Sequence, residues 1–128
     1  MRDSHALIVD DSSTIRTILA SQLEQLGFET VGVGTGEEAL SVLRQGYLPA
    51  LIVTDWNMPI MSGLELVAAI RSEPKLNEIK ILMVTSQSSL DQIAAALDAG
   101  ADEYLFKPFD EEMLRQKLEI MGLLPLTI

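Results

Sequence analysis

The chain alternates between short unbroken apolar runs and segments whose apolar residues recur every three or four positions, and the alternation repeats along its length. Ala6-Leu7-Ile8-Val9 predicts a first strand. Beyond it Ile15, Leu19, Leu23 and Leu26 follow helical spacing, with Ser12 or Ser13 available as the cap and Gly27 as the stop. Phe28 to Val33 predicts the second strand. Thr35-Gly36-Glu37-Glu38 then has the form of a capping box, whose hydroxyl and carboxylate satisfy opposite ends of the first turn of a helix reaching about Gln45.

The third strand, Ala50 to Thr54, is apolar throughout, as a strand covered on both faces should be. A third helix is expected after Ser62-Gly63, with Leu64, Val67 and Ile70 facing inward and an end before Pro74. Ile79 to Val84 predicts the fourth strand. Ser89 with Gln92 offers a second capping box, after which Leu90, Ile93, Ala94 and Leu97 line one helix face as far as Gly100. Asp102 to Phe106 predicts the fifth strand, Met113, Leu114, Leu118 and Met121 mark a closing helix, and Gly122 to Ile128 is a tail. Five strand-helix pairs imply an α/β, doubly wound domain around a parallel sheet. The order 2-1-3-4-5 is adopted from known folds of this class; with right-handed crossovers it sets strands one and three side by side at the topological switch point.

That arrangement changes the meaning of the acidic residues. Asp10 and Asp11 close the first run and Asp55 closes the third, so three carboxylates converge on one sheet edge. Carboxylates held so close repel one another, and Mg²⁺, a hard ion satisfied by carboxylates, water and phosphate oxygens, is the usual compensation. Asp55 meets the loop Trp56-Asn57-Met58-Pro59, where its carboxylate can project free of the sheet. It is the candidate nucleophile, since an aspartate can attack phosphorus to give an aspartyl phosphate. Thr85 ends the fourth strand and Lys107 follows the fifth, so a hydroxyl and an ammonium are available to phosphoryl oxygens. Each residue has a plainer reading: Asp as a turn or cap residue, Lys as a solvated cation and Thr85 as an ordinary strand or turn residue, with Ser86, Ser88 and Ser89 as capping donors instead. Pro108 keeps Lys107 out of helical geometry, with the cis or trans state of that peptide left open.

With 128 residues and 48% hydrophobic content, the chain suits one compact domain, taken as 1–128. The formal net charge of −10 argues against non-specific nucleic-acid binding. Absence of Cys removes disulfides, thiol nucleophiles and Cys-ligated zinc, and it fits a reducing compartment. Met1 to His5 is too short and acidic for a signal peptide, and no run approaches the roughly 20 apolar residues of a membrane helix. A soluble, cytoplasmic protein is expected. His5, the sole histidine, is assigned to a mobile terminus without a catalytic role, so any phosphohistidine donor comes from another protein. Gly32-Val33-Gly34-Thr35-Gly36 is discounted as a dinucleotide loop, because Glu37 stands where a third glycine is required and the segment follows the second strand. The six Met residues are read as core fillers.

The runs Val9-Asp10-Asp11, Asp55 to Gly63, Met83-Val84-Thr85-Ser86 and Lys107-Pro108-Phe109 resemble the receiver domain of two-component response regulators over about Ala6 to Met121, most of all its single-domain CheY type. The resemblance implies a flavodoxin-like fold of five βα units. It also implies Asp55 as phosphoacceptor, Asp10 and Asp11 as Mg²⁺ ligands with Asp55 and the Asn57 backbone carbonyl, and Thr85 and Lys107 on the phosphoryl oxygens. Switching would couple movement of Thr85 to a rotamer change of Tyr104, whose plainer reading is a half-buried aromatic in an edge strand. Asn57 and Gln87 match positions that tune dephosphorylation.

By the same resemblance the phosphodonor is a histidine kinase, the output face is helix four, strand five and helix five, the effector is a motor or other protein, and the context is chemotaxis. The protein is expected to be monomeric and to catalyse only its own phosphorylation and dephosphorylation. Two alternatives use the same edge: a phosphate sink or relay component without a motor target, and a Mg²⁺-dependent phosphohydrolase. The latter needs a further acid or base, for which no residue is evident.

Overall fold

The computed structural model describes residues 2–86 and 89–126; Gln87 and Ser88 lie outside them. Strands and helices alternate as β1 (Arg2–Val9), α1 (Ser13–Gln25), β2 (Glu29–Val33), α2 (Gly36–Arg44), β3 (Pro49–Asp55), α3 (Gly63–Arg71), β4 (Lys80–Thr85), α4 (Leu90–Ala99), β5 (Glu103–Phe106) and α5 (Glu111–Ile120). A 3₁₀ turn, Pro74–Leu76, buries Leu76 ahead of β4. All four strand pairings are parallel, and the order is β2-β1-β3-β4-β5. This is the flavodoxin-like arrangement that the sequence implied.

The alternation of side chains across the strands builds two apolar layers. On one face Leu7, Val9, Ile52, Ile81 and Met83 meet Leu40, Leu43, Leu66, Ile70 and Ala96 from α2, α3 and α4. On the other, Ala6, Ile8, Val53, Leu82, Val84 and Leu105 meet Leu19, Leu23, Leu114 and Leu118 from α1 and α5. Each large aliphatic side chain so enclosed contributes about 1.5–3 kcal/mol relative to exposure. β3 is buried along its whole length, which explains its unbroken apolar run.

Several sequence expectations are corrected. His5 is not in a free terminus: β1 begins at Arg2, His5 pairs in register with Glu29, and its Nε2 lies 3.0 Å from Glu29 Oε2. Leu66, not Leu64, fills the inner face of α3 between Gly63 and Val67. In α4 the expected apolar face is largely in water: Leu90 is 83% exposed and Leu97 and Ala94 are exposed, while Ala96 is buried. Met113 is likewise exposed, and α5 buries Leu114 and Leu118.

The caps also differ in detail. Ser12, not Ser13, caps α1 by accepting the Ile15 N–H. Thr35 accepts the Glu38 N–H, but the Glu38 carboxylate accepts from Gly34 N–H and the Thr35 hydroxyl, so the reciprocal arm reaches one residue further back. Ser89 accepts the Gln92 N–H and donates its hydroxyl to Gln92 Oε1. A complete capping box occurs at Ser62 and Glu65, where α3 leaves the loop after Asp55.

Candidate functional site

The carboxyl ends of β1, β3, β4 and β5 gather the predicted residues. Asp10 directly follows β1, Asp55 is the last residue of β3 and Thr85 the last of β4. Carboxylate oxygens of Asp10, Asp11 and Asp55 all lie within 4.8 Å of one another, with Asp10 and Asp55 buried and Asp11 exposed. Lys107 completes the cluster, its Nζ 3.3 Å from Asp55 Oδ1 and 3.7 Å from Asp10 Oδ2. The peptide between Lys107 and Pro108 is cis. Thr85 is buried, and its carbonyl accepts the Lys107 N–H at 2.9 Å, which ties the lysine to the end of β4.

Burial pushes the Asp55 carboxyl above the usual carboxylate range; the Lys107 ammonium works against this and the neighbouring Asp10 charge adds to it. Asp10 spends one oxygen locally: Oδ1 accepts the Ser12 N–H at 2.9 Å at the entrance to α1. Its other oxygen, Oδ2, is buried without a hydrogen-bond donor and faces the Lys107 ammonium at 3.7 Å. An under-satisfied buried carboxylate oxygen within an all-oxygen cluster fits a hard divalent cation such as Mg²⁺.

The loop after Asp55 is held by contacts that the sequence pattern did not reveal. Gly63 N–H donates to the Trp56 carbonyl at 2.8 Å, and a Cβ at Gly63 would lie 2.1 Å from the Asp55 carbonyl oxygen. Glycine is therefore required by the close approach of α3 to the end of β3. Met58 is buried, Met61 packs over Gly36 of α2, and Asn57 is exposed between them and Asp55. Ile60, at φ 71°, is a β-branched residue in the left-handed region, with its side chain 89% exposed. Arg16 was also missed; its Nη1 donates to the Asp10 carbonyl at 2.6 Å. A cation in the early part of a helix with no acidic residue in its first turn was the available signal.

Tyr104 lies outside the carboxylate cluster. It stands on the edge strand β5, its ring 5.1 Å from that of Phe106, with Lys117 Nζ of α5 4.3 Å from the ring centroid. Beside Lys107, Ile15 and Ile18 of α1 with Pro108 and Phe109 line an open, mostly apolar groove of about 370 Å³. Among the described residues no helix is long and apolar enough to cross a membrane.

The family model described as response regulator receiver domain matches residues 6–119. The chain is 41% identical over 116 residues to chemotaxis protein CheY1 of Helicobacter pylori, covering 90% of this chain and 94% of that protein. It is 44% identical over 114 residues to chemotaxis protein CheY of Pseudomonas aeruginosa, covering 88% of this chain and 91% of that protein. The solved structure of the chemotaxis response regulator CheY4 of Vibrio cholerae superposes with a TM-score of 0.84 at 34% identity, over 91% of this chain and 97% of that one. Matching fold, matching sequence and an acidic edge of this construction agree: the chain belongs to the response regulator receiver family and is a phosphoacceptor response regulator, not a conventional enzyme.

Proposed function

We propose that Asp55 is the phosphoacceptor, taking its phosphoryl group from the phosphohistidine of a histidine kinase. A carboxylate oxygen attacks phosphorus, the acyl O–P bond forms as the P–N bond breaks, and the leaving imidazole takes a proton from solvent. The observation that carries this reading is the buried Asp55 carboxylate at the end of β3, with Lys107 Nζ 3.3 Å away and two other carboxylates in the same 4.8 Å cluster. Asp10, Asp11 and Asp55, with the Asn57 carbonyl, would hold Mg²⁺, which supplies charge neutralisation at the phosphoryl oxygens when bound. Lys107 and Thr85 contact those oxygens from the β4 and β5 side. Water later cleaves the acyl phosphate, so the protein catalyses only its own phosphorylation and dephosphorylation. Residues 1–128 act as one monomeric, cytoplasmic receiver.

Output runs through α4, β5 and α5. Leu90 and Leu97 of α4 are apolar yet exposed, and Tyr104 of β5 meets Lys117 of α5, a surface better suited to a protein partner than to a phosphate sink. The chemotaxis relatives support an effector in that pathway. Movement of Thr85 toward the phosphoryl group, with a rotamer change of Tyr104, shifts the population of this face.

The test combines intact mass with Trp56 fluorescence on addition of Mg²⁺ and a small phosphodonor. One phosphoryl group, dependent on Mg²⁺ and lost in Asp55→Asn, is expected. A phosphoryl group on another residue, or none, overturns the assignment. Retention of a motor component by the activated protein alone would separate effector binding from a sink or relay role.

A further inference from the structure

Arg16 occupies a place that its charge does not explain. It sits early in α1, where the helix dipole is positive and no acidic residue occupies the first turn, and its own N–H donates to the Ser12 carbonyl at 3.0 Å. The side chain turns back instead across the carboxyl end of the sheet. A Cβ at Gly32 would lie 3.3 Å from Arg16 Cδ, and one at Gly34 would lie 3.4 Å from Nη1. Neither glycine has a positive φ, so here glycine supplies space rather than backbone freedom. The Gly32-Val33-Gly34 run is thus a track along which the arginine reaches the end of β1.

At the end of that track Nη1 donates to the Asp10 carbonyl at 2.6 Å. That carbonyl belongs to the peptide unit joining Asp10 to Asp11, two members of the acidic cluster. The other groups of Asp10 are also held: its N–H donates to the Val33 carbonyl at 3.2 Å, and Oδ1 accepts the Ser12 N–H at 2.9 Å. Only the buried Oδ2 lacks a hydrogen-bond donor. With three points fixed, the remaining oxygen has one direction, toward the cluster.

We propose that Arg16, running over Gly32 and Gly34 to the Asp10 carbonyl, is a positioning residue for the divalent-cation site: it clamps the peptide between Asp10 and Asp11 and so sets the geometry of both carboxylates. The proposal rests on the metal-binding reading above. Its direction is opposite to that of simple electrostatics. Removing a cation near a cation site should tighten Mg²⁺ binding, whereas removing a clamp should weaken it, and groups that orient metal ligands typically account for about 10- to 100-fold in affinity.

The experiment is a Mg²⁺ titration followed by Trp56 fluorescence for the wild-type chain, Arg16→Met and Gly32→Val, with urea unfolding of each in the absence of metal. Arg16→Met keeps most of the stem and removes the donor; Gly32→Val keeps the charge and obstructs the track. The expected result is about tenfold weaker Mg²⁺ binding in both, in samples folded at the concentrations titrated. Unchanged or tighter binding in Arg16→Met overturns the proposal and assigns Arg16 a purely electrostatic or packing role. Should Arg16→Met fail to fold, Gly32→Val decides: weaker binding supports the clamp and wild-type affinity overturns it. No Mg²⁺ response in the wild-type chain overturns the metal reading itself, and the clamp with it.

Discussion

The Lys107 ammonium lies 3.3 Å from Asp55 Oδ1, yet the Asp55 carboxyl is still pushed above its ordinary range. Burial is the larger influence, and the neighbouring Asp10 acts in the same direction. Three carboxylates and one ammonium leave this cluster with two negative charges beyond what the ion pair offsets, a deficit that one divalent cation matches. That residual charge fits a bound dication.

Asp55→Asn is therefore expected to stabilise the metal-free protein at neutral pH. The native carboxyl titrates above its ordinary range, so between the unfolded and folded pKa the native state binds more protons than the unfolded state. Stability from this group consequently falls as pH rises through that window and is level above it. Urea unfolding with a chelator, from pH 3.5 to pH 7, should show the advantage of Asp55→Asn growing and then holding constant. Mg²⁺ at about 100 times its Kd should add about 2.7 kcal/mol to the wild-type chain. A wild-type chain gaining on Asp55→Asn as pH rises would show that Lys107, not burial, governs the carboxylate.

Gly63→Ala should damage both fold and site. The new Cβ would meet the Asp55 carbonyl oxygen at 2.1 Å, a backbone atom of a fully buried strand that cannot move aside as a flexible side chain could. Overpacking of this kind costs about 1–3 kcal/mol. The loss should appear in the unfolding midpoint, and the altered start of α3 should weaken the Trp56 response to Mg²⁺.

Ile60→Gly should do the reverse. At φ 71° and 89% exposure, Ile60 carries backbone strain with little packing in return. Relief of such strain is worth about 1–3 kcal/mol and the added chain entropy of glycine opposes it by about 0.5–1 kcal/mol, so a net gain of roughly 1 kcal/mol is expected. Phosphorylation of Asp55 by a small donor should keep its rate. Destabilisation in urea would mean that the isoleucine supports the loop after all.

The chain's fold and chemistry were legible for different reasons. β3 announced itself because a strand covered on both faces needs no polar alternation, and Asp10, Asp11, Asp55, Thr85 and Lys107 were found because parallel topology sends strand ends to one edge. Helical faces were less secure. α4 has apolar residues on more than one side, so spacing marked Leu90 and Leu97, whereas packing against the sheet selected Ala96. The tight packing of Gly63 and the reach of Arg16 were hidden because both lie in close approaches through space, 2.1 Å from a Cβ at Gly63 to the Asp55 carbonyl oxygen and a 2.6 Å hydrogen bond from Arg16 to the Asp10 carbonyl. Local pattern carries no record of such distances.

Arg71 offers the complementary case of a residue whose loss should affect stability without touching the site. From the end of α3 its guanidinium donates to the carbonyls of Gly100, Leu76, Asn77 and Ile79 and to the Asp102 carboxylate, joining the segments that enter β4 and β5. Asp102 in turn accepts the Ile81 N–H at 2.8 Å, so the ion pair is built into the start of β4. Gly100 leaves room for the arginine stem, since a Cβ there would lie 2.4 Å from Arg71 Cγ. Arg71→Ala would strip donors from several backbone carbonyls and leave the exposed Asp102 carboxylate without its cation. A loss of about 1–3 kcal/mol in urea unfolding is expected, chiefly from part-buried carbonyls left without a donor. These contacts lie at the amino ends of the strands, opposite Asp55, so Mg²⁺ affinity read from Trp56 should remain within about twofold of wild type, the spread expected for independent sites. A parallel fall in stability and affinity would instead mean that the two ends of the sheet are coupled through β4.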